Sequence, residues 1–495
     1  MKTGEFAARR ASAPVSFPST PHAVAWHAQH SPDATAVVET GRSITYSALA
    51  ADVAGCIGSL TDQGIRRGTL VGIEIRPERY LVTVLLLACE AIQATVVPTS
   101  SADIQPNDPV IRHCDRLLLR QPPTAPGLPP WHVIEAGQFW HPAGDASALA
   151  DLLHPVDPSL IARISRTSGT TGRPKLIPTS FRVQQRTVEG QFAFAPPQLE
   201  TPIVFLCLYN VGIRHIHYWI LAVLQAGGTV LLAREEEAPA LVQAGFANHV
   251  VLMTGDAERV ARAMRPSPHR DRTAVVLAGA RSGPGLRGLV RERIGAHVMA
   301  SYASNETNRI SIVGDDDVGT LVPGATVRIV DDAGAELPIG SIGVIQAKTS
   351  TMVDGYYNDP EATRAAFVDG WYHTNDAGMI PQPGKLIVLG RADDMLNIGG
   401  IKIAPHAIED ELKTIGGIAD AALVAVTSPT EAGELVVALE IAGGGLSRAA
   451  EAAARRIVGR YLRHYHLLPL TSFPRTENGK LRRQEIEAAF VRRNG

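Results

Sequence analysis

Along much of the chain, apolar residues come in short blocks closed by glycine or proline, and the blocks alternate in kind. Residues 81–92 carry an almost unbroken apolar run long enough for a buried helix, and 94–97 form a short strand that stops at Pro98. The same rhythm returns with a helix over 216–225, a Gly227-Gly228 turn and a strand over 229–233, and then an apolar strand over 273–277 that ends at Gly279. Helix followed by buried strand, repeated, is the pattern of an α/β fold built on parallel sheets. Ligand sites in such sheets lie beyond the carboxyl ends of the strands, which directs attention to the loops after each apolar block.

From Gly319 the texture changes. Short strands are broken by turn signals such as Asp332-Ala333-Gly334, Pro338-Ile339-Gly340 and Gly384, so residues 319–390 read as a β subdomain closing a large N-terminal domain over 1–390. After Arg391 come a Gly399-Gly400 hairpin, a helix at 405–414, strands at 421–427 and 435–441, and a helical stretch over 446–462. Residues 395–495 are therefore expected to form a small separate α+β domain.

Composition narrows the function without naming it. The 495 residues suit two to four domains. Hydrophobic residues make up 45% and charged residues 19%, which is globular composition. Lys and Arg number 47 against 49 Asp and Glu, a net charge of −2, so no nucleic acid and no anionic membrane is expected as partner. Apolar runs fall far short of the ~20 residues of a membrane span. Cys56, Cys89, Cys114 and Cys207 have no paired or metal-ligand spacing. A cytoplasmic enzyme acting on a small molecule is the expectation.

The segment Thr167-Ser168-Gly169-Thr170-Thr171-Gly172-Arg173-Pro174-Lys175 follows the apolar 160–164. Glycines and small hydroxyl residues leave backbone N–H groups open to phosphate oxygens, the hydroxyls donate further bonds, and Lys175 adds charge. A Walker A loop would need Ser or Thr after the lysine, where Leu176 stands. Read alone, the segment is a phosphate cradle or a flexible turn. Ser301-Tyr302-Ala303-Ser304-Asn305-Glu306 offers a ring for base stacking and a carboxylate suited to Mg²⁺, though a core tyrosine and a solvated glutamate would look the same. Asp376, after Trp371-Tyr372-His373-Thr374-Asn375, suits the two hydroxyls of a ribose or the capping of a turn. Arg391 and Asp393 join the last two domains, and Lys480 sits in a turn-rich loop, Pro474-Arg475-Thr476-Glu477-Asn478-Gly479-Lys480.

In this order and spacing the segments resemble the adenylate-forming superfamily of acyl-CoA synthetases, non-ribosomal peptide adenylation domains and luciferases. The resemblance runs from Ser31-Pro32-Asp33 to Lys480. It implies that Thr167 to Gly172 and Lys175 grip the β and γ phosphates of ATP and that Glu306 holds Mg²⁺. Asp376 and Arg391 would take the ribose, and Tyr302, with the Gly279-Ala280-Arg281 turn, would frame the adenine, beside Asn305. Lys480 would reach the junction of carboxylate and α-phosphate. Residues 391–394 would be a hinge centred on Asp393, turning a mobile C-terminal domain. The implied reaction joins a carboxylic acid to AMP with loss of pyrophosphate, then passes the acyl group to a thiol of coenzyme A or of carrier-protein pantetheine. No carrier domain fits beside this fold, so a carrier protein would act in trans.

The chain departs from the family pattern at Asn305, usually Thr, and Asn375, usually Gly. Leu176 and Phe181 replace a common Gly and His, Gln93 stands at a usual Gly, and Asn397 stands where many thioester-forming members have Lys. No charged catalytic group is lost. The acid pocket is expected around Tyr209, Asn210, Gly212, His215, His217 and Ala278. Residues 201–233 contain no carboxylate to bind an α-ammonium, so an aryl, alicyclic or medium-chain acid is favoured over a free amino acid. His215 and His217 lack a recognisable third ligand and read as pocket or core residues. Two other readings stand beside thiol transfer: an amide bond synthetase, in which an amine captures the adenylate, and a catalytically silent nucleotide-binding protein, which the retained charged set argues against.

Overall fold

The computed structural model describes residues 16–75, 78–100, 103–123, 125–133, 146–166, 174–192, 202–398, 401–403, 405–426, 434–441, 443, 445–462, 464–475 and 481–494. The chain is mixed α/β and divides into two compact units: 1–317 with 322–326 and 348–372, and 318–321 with 327–347 and 373–495. Among the described residues no helix is long and apolar enough to cross a membrane.

The first unit contains two sheets. In one, the strands run in the order Asn308–Val313, His297–Ser304, Ala274–Ala278, His249–Met253, Val204–Cys207, Thr229–Leu232, Thr35–Glu39 and Arg42–Thr45. The inner six are parallel and the two edges antiparallel. In the other the order is Trp131–Val133, Arg116–Leu119, Leu70–Glu74, Thr95–Thr99, Ile161–Arg166 and Leu176–Ser180, with only the last pair antiparallel. The helices Tyr46–Asp62, Arg79–Ala91 and Arg214–Gln225 share one apolar core with strands of both sheets. Arg79–Ala91 is buried along almost its whole length, as its unbroken apolar run requires.

One strand outruns its expected end. Thr95–Thr99 continues through Pro98, which is paired with Ile73 on one side only, since the neighbouring Ile161–Arg166 meets this strand at Val96. A proline lacking its N–H is tolerated where the ladder is one-sided.

The second unit holds the antiparallel ladder in which Gly319–Leu321 and Trp371–Met379 both pair with Lys385–Arg391. It also holds a three-stranded sheet, Ile418–Val426, Glu434–Ile441 and His466–Leu470, with the helices Pro405–Leu412, Arg448–Val458 and Arg483–Asn494. The helix expected to reach 462 ends at Val458, where Gly459 closes its last turn.

Candidate nucleotide and acid site

The phosphate-loop residues Thr167, Ser168, Gly169, Thr170, Thr171 and Gly172 lie outside the described residues, as does Lys480. Their flanks are defined. Ile161–Arg166 and Leu176–Ser180 are antiparallel neighbours with Arg166 opposite Leu176, so the loop joins two strands of a hairpin. The entry to it is anchored by Arg166, whose guanidinium donates to both oxygens of Asp108, with Nη2 to Oδ1 at 2.7 Å. Asp108 Oδ1 also accepts the N–H groups of Val110 and Ile111, each at 3.0 Å. Burial alone would raise the Asp108 carboxyl, but Arg166 and those N–H donors outweigh it and hold the group below its ordinary value. Arg475 and Leu481 form an isolated antiparallel bridge.

Beyond the phosphate hairpin, Lys175 Nζ lies 4.7 Å from the centroid of the Tyr356 ring. The Tyr356 hydroxyl donates to Glu306 Oε1 at 2.9 Å, and Glu306 is buried. Tyr372 belongs to the same cluster. Both phenols are pushed up, first by burial and then by the Glu306 charge, so they stay protonated and serve the carboxylate as donors. The turn at 305–307 fixes this carboxylate from its backbone: the Glu306 carbonyl accepts the Val353 N–H at 2.9 Å, and the Thr307 carbonyl accepts Thr349 Oγ1 at 2.6 Å and Thr351 Oγ1 at 3.0 Å. Tyr302 lies half-buried on the strand leading into this turn.

The Gly279-Ala280-Arg281 turn stands at the carboxyl end of Ala274–Ala278, where a ligand loop is expected. Gly279 has φ +90°, a left-handed conformation that suits glycine. Thr254 Oγ1 ties the turn by donating to the Ala278 carbonyl at 3.1 Å and the Ala280 carbonyl at 2.9 Å. Arg281 points its charge at Asp317, with Nη2 to Oδ2 at 2.7 Å.

The expected pocket segment is held from three sides. Asn210 Oδ1 accepts the Gly212 N–H at 2.8 Å, and Arg163 donates to the Gly212 carbonyl. Arg214, buried at the start of its helix, donates Nη1 to the Asn305 carbonyl at 2.6 Å, joining the pocket segment to the Glu306 turn. Tyr209 is fully engaged: its hydroxyl donates to Asp256 at 2.9 Å and accepts the Met253 N–H at 2.7 Å. His215 and His217 point to different surroundings, as i and i+2 must on a helix. His215 accepts from Trp219 Nε1 at 3.3 Å and is lowered to about 4 by burial, with Arg309 and Arg214 adding to the effect. Burial, followed by Arg163, holds His217 well below its ordinary value. Both are neutral near pH 7.

In the second unit Asp376 and Arg391 are cross-strand partners, with Arg391 Nη1 3.2 Å from Asp376 Oδ1 and 3.2 Å from the Thr374 carbonyl. Asn375 has φ +56°, a left-handed backbone that asparagine tolerates better than most side chains. Gln93, another substitution at a usual glycine, also has φ +56°. Its amide is used, donating to the Pro155 carbonyl at 3.0 Å and accepting the Asp157 N–H at 2.8 Å. Asp393 is exposed in the 3₁₀ turn Ala392–Asp394.

Arg163, Arg166, Arg214, Tyr356 and Tyr372 are absent from the sequence-based site. A signal for the first was present, because an arginine inside the apolar 160–164 run is a charge in a buried strand.

Comparison with known proteins places this geometry among related chains. A profile of the AMP-binding enzyme family matches residues 121–357. The 4-coumarate–CoA ligase-like 9 protein of Oryza sativa subsp. japonica is 26% identical over 97% of this chain and 95% of its own length. Phenyloxazoline synthase MbtB of Mycobacterium sp. is 26% identical over 94% of this chain but only 41% of its own length. Among solved structures, ATP-bound MatB from Rhodopseudomonas palustris aligns with TM-score 0.74 at 19% identity over 92% of this chain and 95% of that one. The amide bond synthetase McbA from Marinactinospora thermotolerans aligns with TM-score 0.70 at 21% identity over 92% and 97%. At these identities the structural likeness establishes the fold.

Proposed function

We propose, from the premise that this chain belongs to the AMP-binding enzyme family, that it activates a carboxylic acid with ATP as an acyl adenylate and passes the acyl group to a thiol. The observation that carries the reading is the buried Glu306 carboxylate, bonded by the hydroxyl of Tyr356, whose ring carries the Lys175 ammonium at 4.7 Å. A carboxylate and a triphosphate repel each other, so attack needs cations set where charge accumulates. Lys175 is one such charge. Lys480, delivered by residues 395–495 as they turn about Asp393, is the second and stands at the bond being made.

Glu306 also suits Mg²⁺. As a buried carboxylate it would serve an ion that arrives on nucleotide phosphates and takes one protein oxygen ligand. Once bound, that ion would offset phosphate charge. Tyr356 and Tyr372, kept protonated, orient the carboxylate.

In the first half-reaction a carboxylate oxygen bonds to the α-phosphorus and pyrophosphate leaves. In the second, the thiol sulfur of coenzyme A or of a carrier-protein pantetheine attacks the acyl carbon, loses its proton and expels AMP. Of the expected pocket residues, His215 and His217 are both uncharged and none carries a carboxylate, which favours an aryl, alicyclic or medium-chain acid over a free amino acid.

A second reading replaces the thiol with an amine. It is favoured by Asn397, which stands where many thioester-forming relatives carry lysine. The test is product analysis by mass after incubation with ATP, Mg²⁺ and 4-coumarate, benzoate, cyclohexanecarboxylate or octanoate, with coenzyme A, a simple amine or neither. Acyl-CoA supports the first reading, and amide without thioester replaces it with the second.

A further inference from the structure

Inside the first unit lies a cavity of about 10 Å3, lined by the polar side chains of Glu90, Arg163, Gln184 and His217 and by apolar walls that include Leu86 and Phe181. That is room for a single water. All four polar residues are buried. Glu90 Oε1 accepts the Thr20 N–H at 2.8 Å, while its Oε2 is buried without a hydrogen-bond partner. Arg163 gives one Nη to the Gly212 carbonyl and its Nε to Ser165 Oγ at 3.1 Å, and its other Nη, likewise buried, has no partner. An open acceptor and an open donor on two residues that line one water-sized cavity are what a bridging water satisfies.

We propose that Arg163 is a positioning residue for the carboxylic-acid pocket, acting through the Gly212 carbonyl and held in place by a buried water that it shares with Glu90. The inference rests on the acid-activation reading above and extends it to a residue no motif marks. Gly212 is held through both of its backbone groups, its N–H by Asn210 and its carbonyl by Arg163. It cannot drift, because a Cβ there would come within 2.5 Å of the Ile75 side chain, so backbone and side chain are already in contact. Two residues on, Arg214 fastens the same segment to the Asn305 carbonyl. The pocket is thus set by two buried guanidiniums holding backbone carbonyls.

Arginine suits this duty. Its planar fork reaches a carbonyl, a hydroxyl and a water in different directions, which the single ammonium of lysine does not. Burial, opposed by Tyr218 and assisted by the Arg214 charge, lowers Arg163 to about 10, so it remains charged near pH 7.

The test measures acid-dependent pyrophosphate release by the full-length wild type, Arg163→Met and Arg163→Lys. The probe is whichever of 4-coumarate, benzoate, cyclohexanecarboxylate and octanoate gives the wild type its highest rate. Arg163→Met is expected to raise KM for the acid by about tenfold or more, leaving KM for ATP within about twofold, as loss of ground-state positioning of one substrate requires. Arg163→Lys, which keeps one donor on Gly212, is expected to recover part of that loss. Should the methionine variant fail to fold, the lysine variant carries the same reading through its own rise in acid KM. A folded variant with both KM values unchanged, or with both shifted equally, overturns the proposal while an active wild type keeps the adenylation reading. A wild type silent with every acid overturns that reading itself.

Discussion

Two ion pairs of the same chemistry do different work. Asp108 and Arg166, in the first unit, have side chains only 11% and 14% exposed and meet through a two-pronged contact reinforced by backbone N–H groups. Asp376 and Arg391, in the second unit, meet at 3.2 Å, and the arginine side chain is 41% exposed. A largely buried pair held by two prongs and by backbone donors is an anchor that a ligand does not easily recruit. An ion pair at a half-open surface costs little to rearrange. On the proposed function, charges that hold the frame are separate from charges that meet the substrates, and substitutions test that separation.

The largest effect is expected at a working charge. Lys480→Ala should lower adenylate formation by about 10³-fold, the scale of a lost transition-state charge. Capture of a supplied adenylate by the acceptor should stay near wild type, and the melting temperature should not move. Equal loss in both half-reactions would remove Lys480 from the working set.

Next comes the anchor. Arg166→Met leaves the Asp108 carboxylate without its cation and should cost roughly 3 kcal/mol of stability, read by chemical denaturation. The acid limb supplies a second check. Since the folded Asp108 carboxyl is held below its ordinary value, its stabilisation is full above the unfolded value and disappears as pH falls through the folded one. Asp108→Asn should therefore flatten the decline in melting temperature below about pH 4.

Asp376→Asn reverses the pattern of the anchor. KM for ATP should rise about tenfold, while stability changes by less than about 1 kcal/mol. A large destabilisation would make Asp376 an anchor too and collapse the contrast.

The smallest expected effect belongs to Glu90. Burial raises its carboxyl to about 7, with the Thr20 N–H and Gln184 opposing. The folded state therefore binds a proton that the unfolded state releases between the ordinary value and 7, and stability falls as pH rises through that window. Glu90→Gln should remove a decline of ~2–4 °C in melting temperature between pH 5 and pH 8.

How far the sequence foretells this arrangement depends on the range of each interaction. The αβ rhythm and the β ladder after Gly319 are local patterns, and each falls on the elements that its periodicity indicates, while residues 167–173 of the phosphate segment lie outside the described residues. Pro98 misled because the rule that proline ends a strand assumes neighbours on both sides. The anchors were out of reach. Arg163 finds Gly212, Arg166 finds Asp108 and Tyr356 finds Glu306 across 49 to 58 positions of chain, with no periodicity linking the partners. The glycine replacements Gln93 and Asn375 were visible as departures, but their meaning needed the backbone: both hold φ of +56°.

In the proposed reaction the acid oxygen, rather than water or a side chain, attacks the α-phosphorus of ATP. This attack is tested most directly by supplying the best acid substrate with ¹⁸O in both carboxylate positions, adding ATP, Mg²⁺ and the acceptor, and weighing the nucleotide released. Acyl-adenylate chemistry predicts AMP carrying one ¹⁸O and unlabelled pyrophosphate. Unlabelled AMP, or ADP with the label in inorganic phosphate, would contradict it.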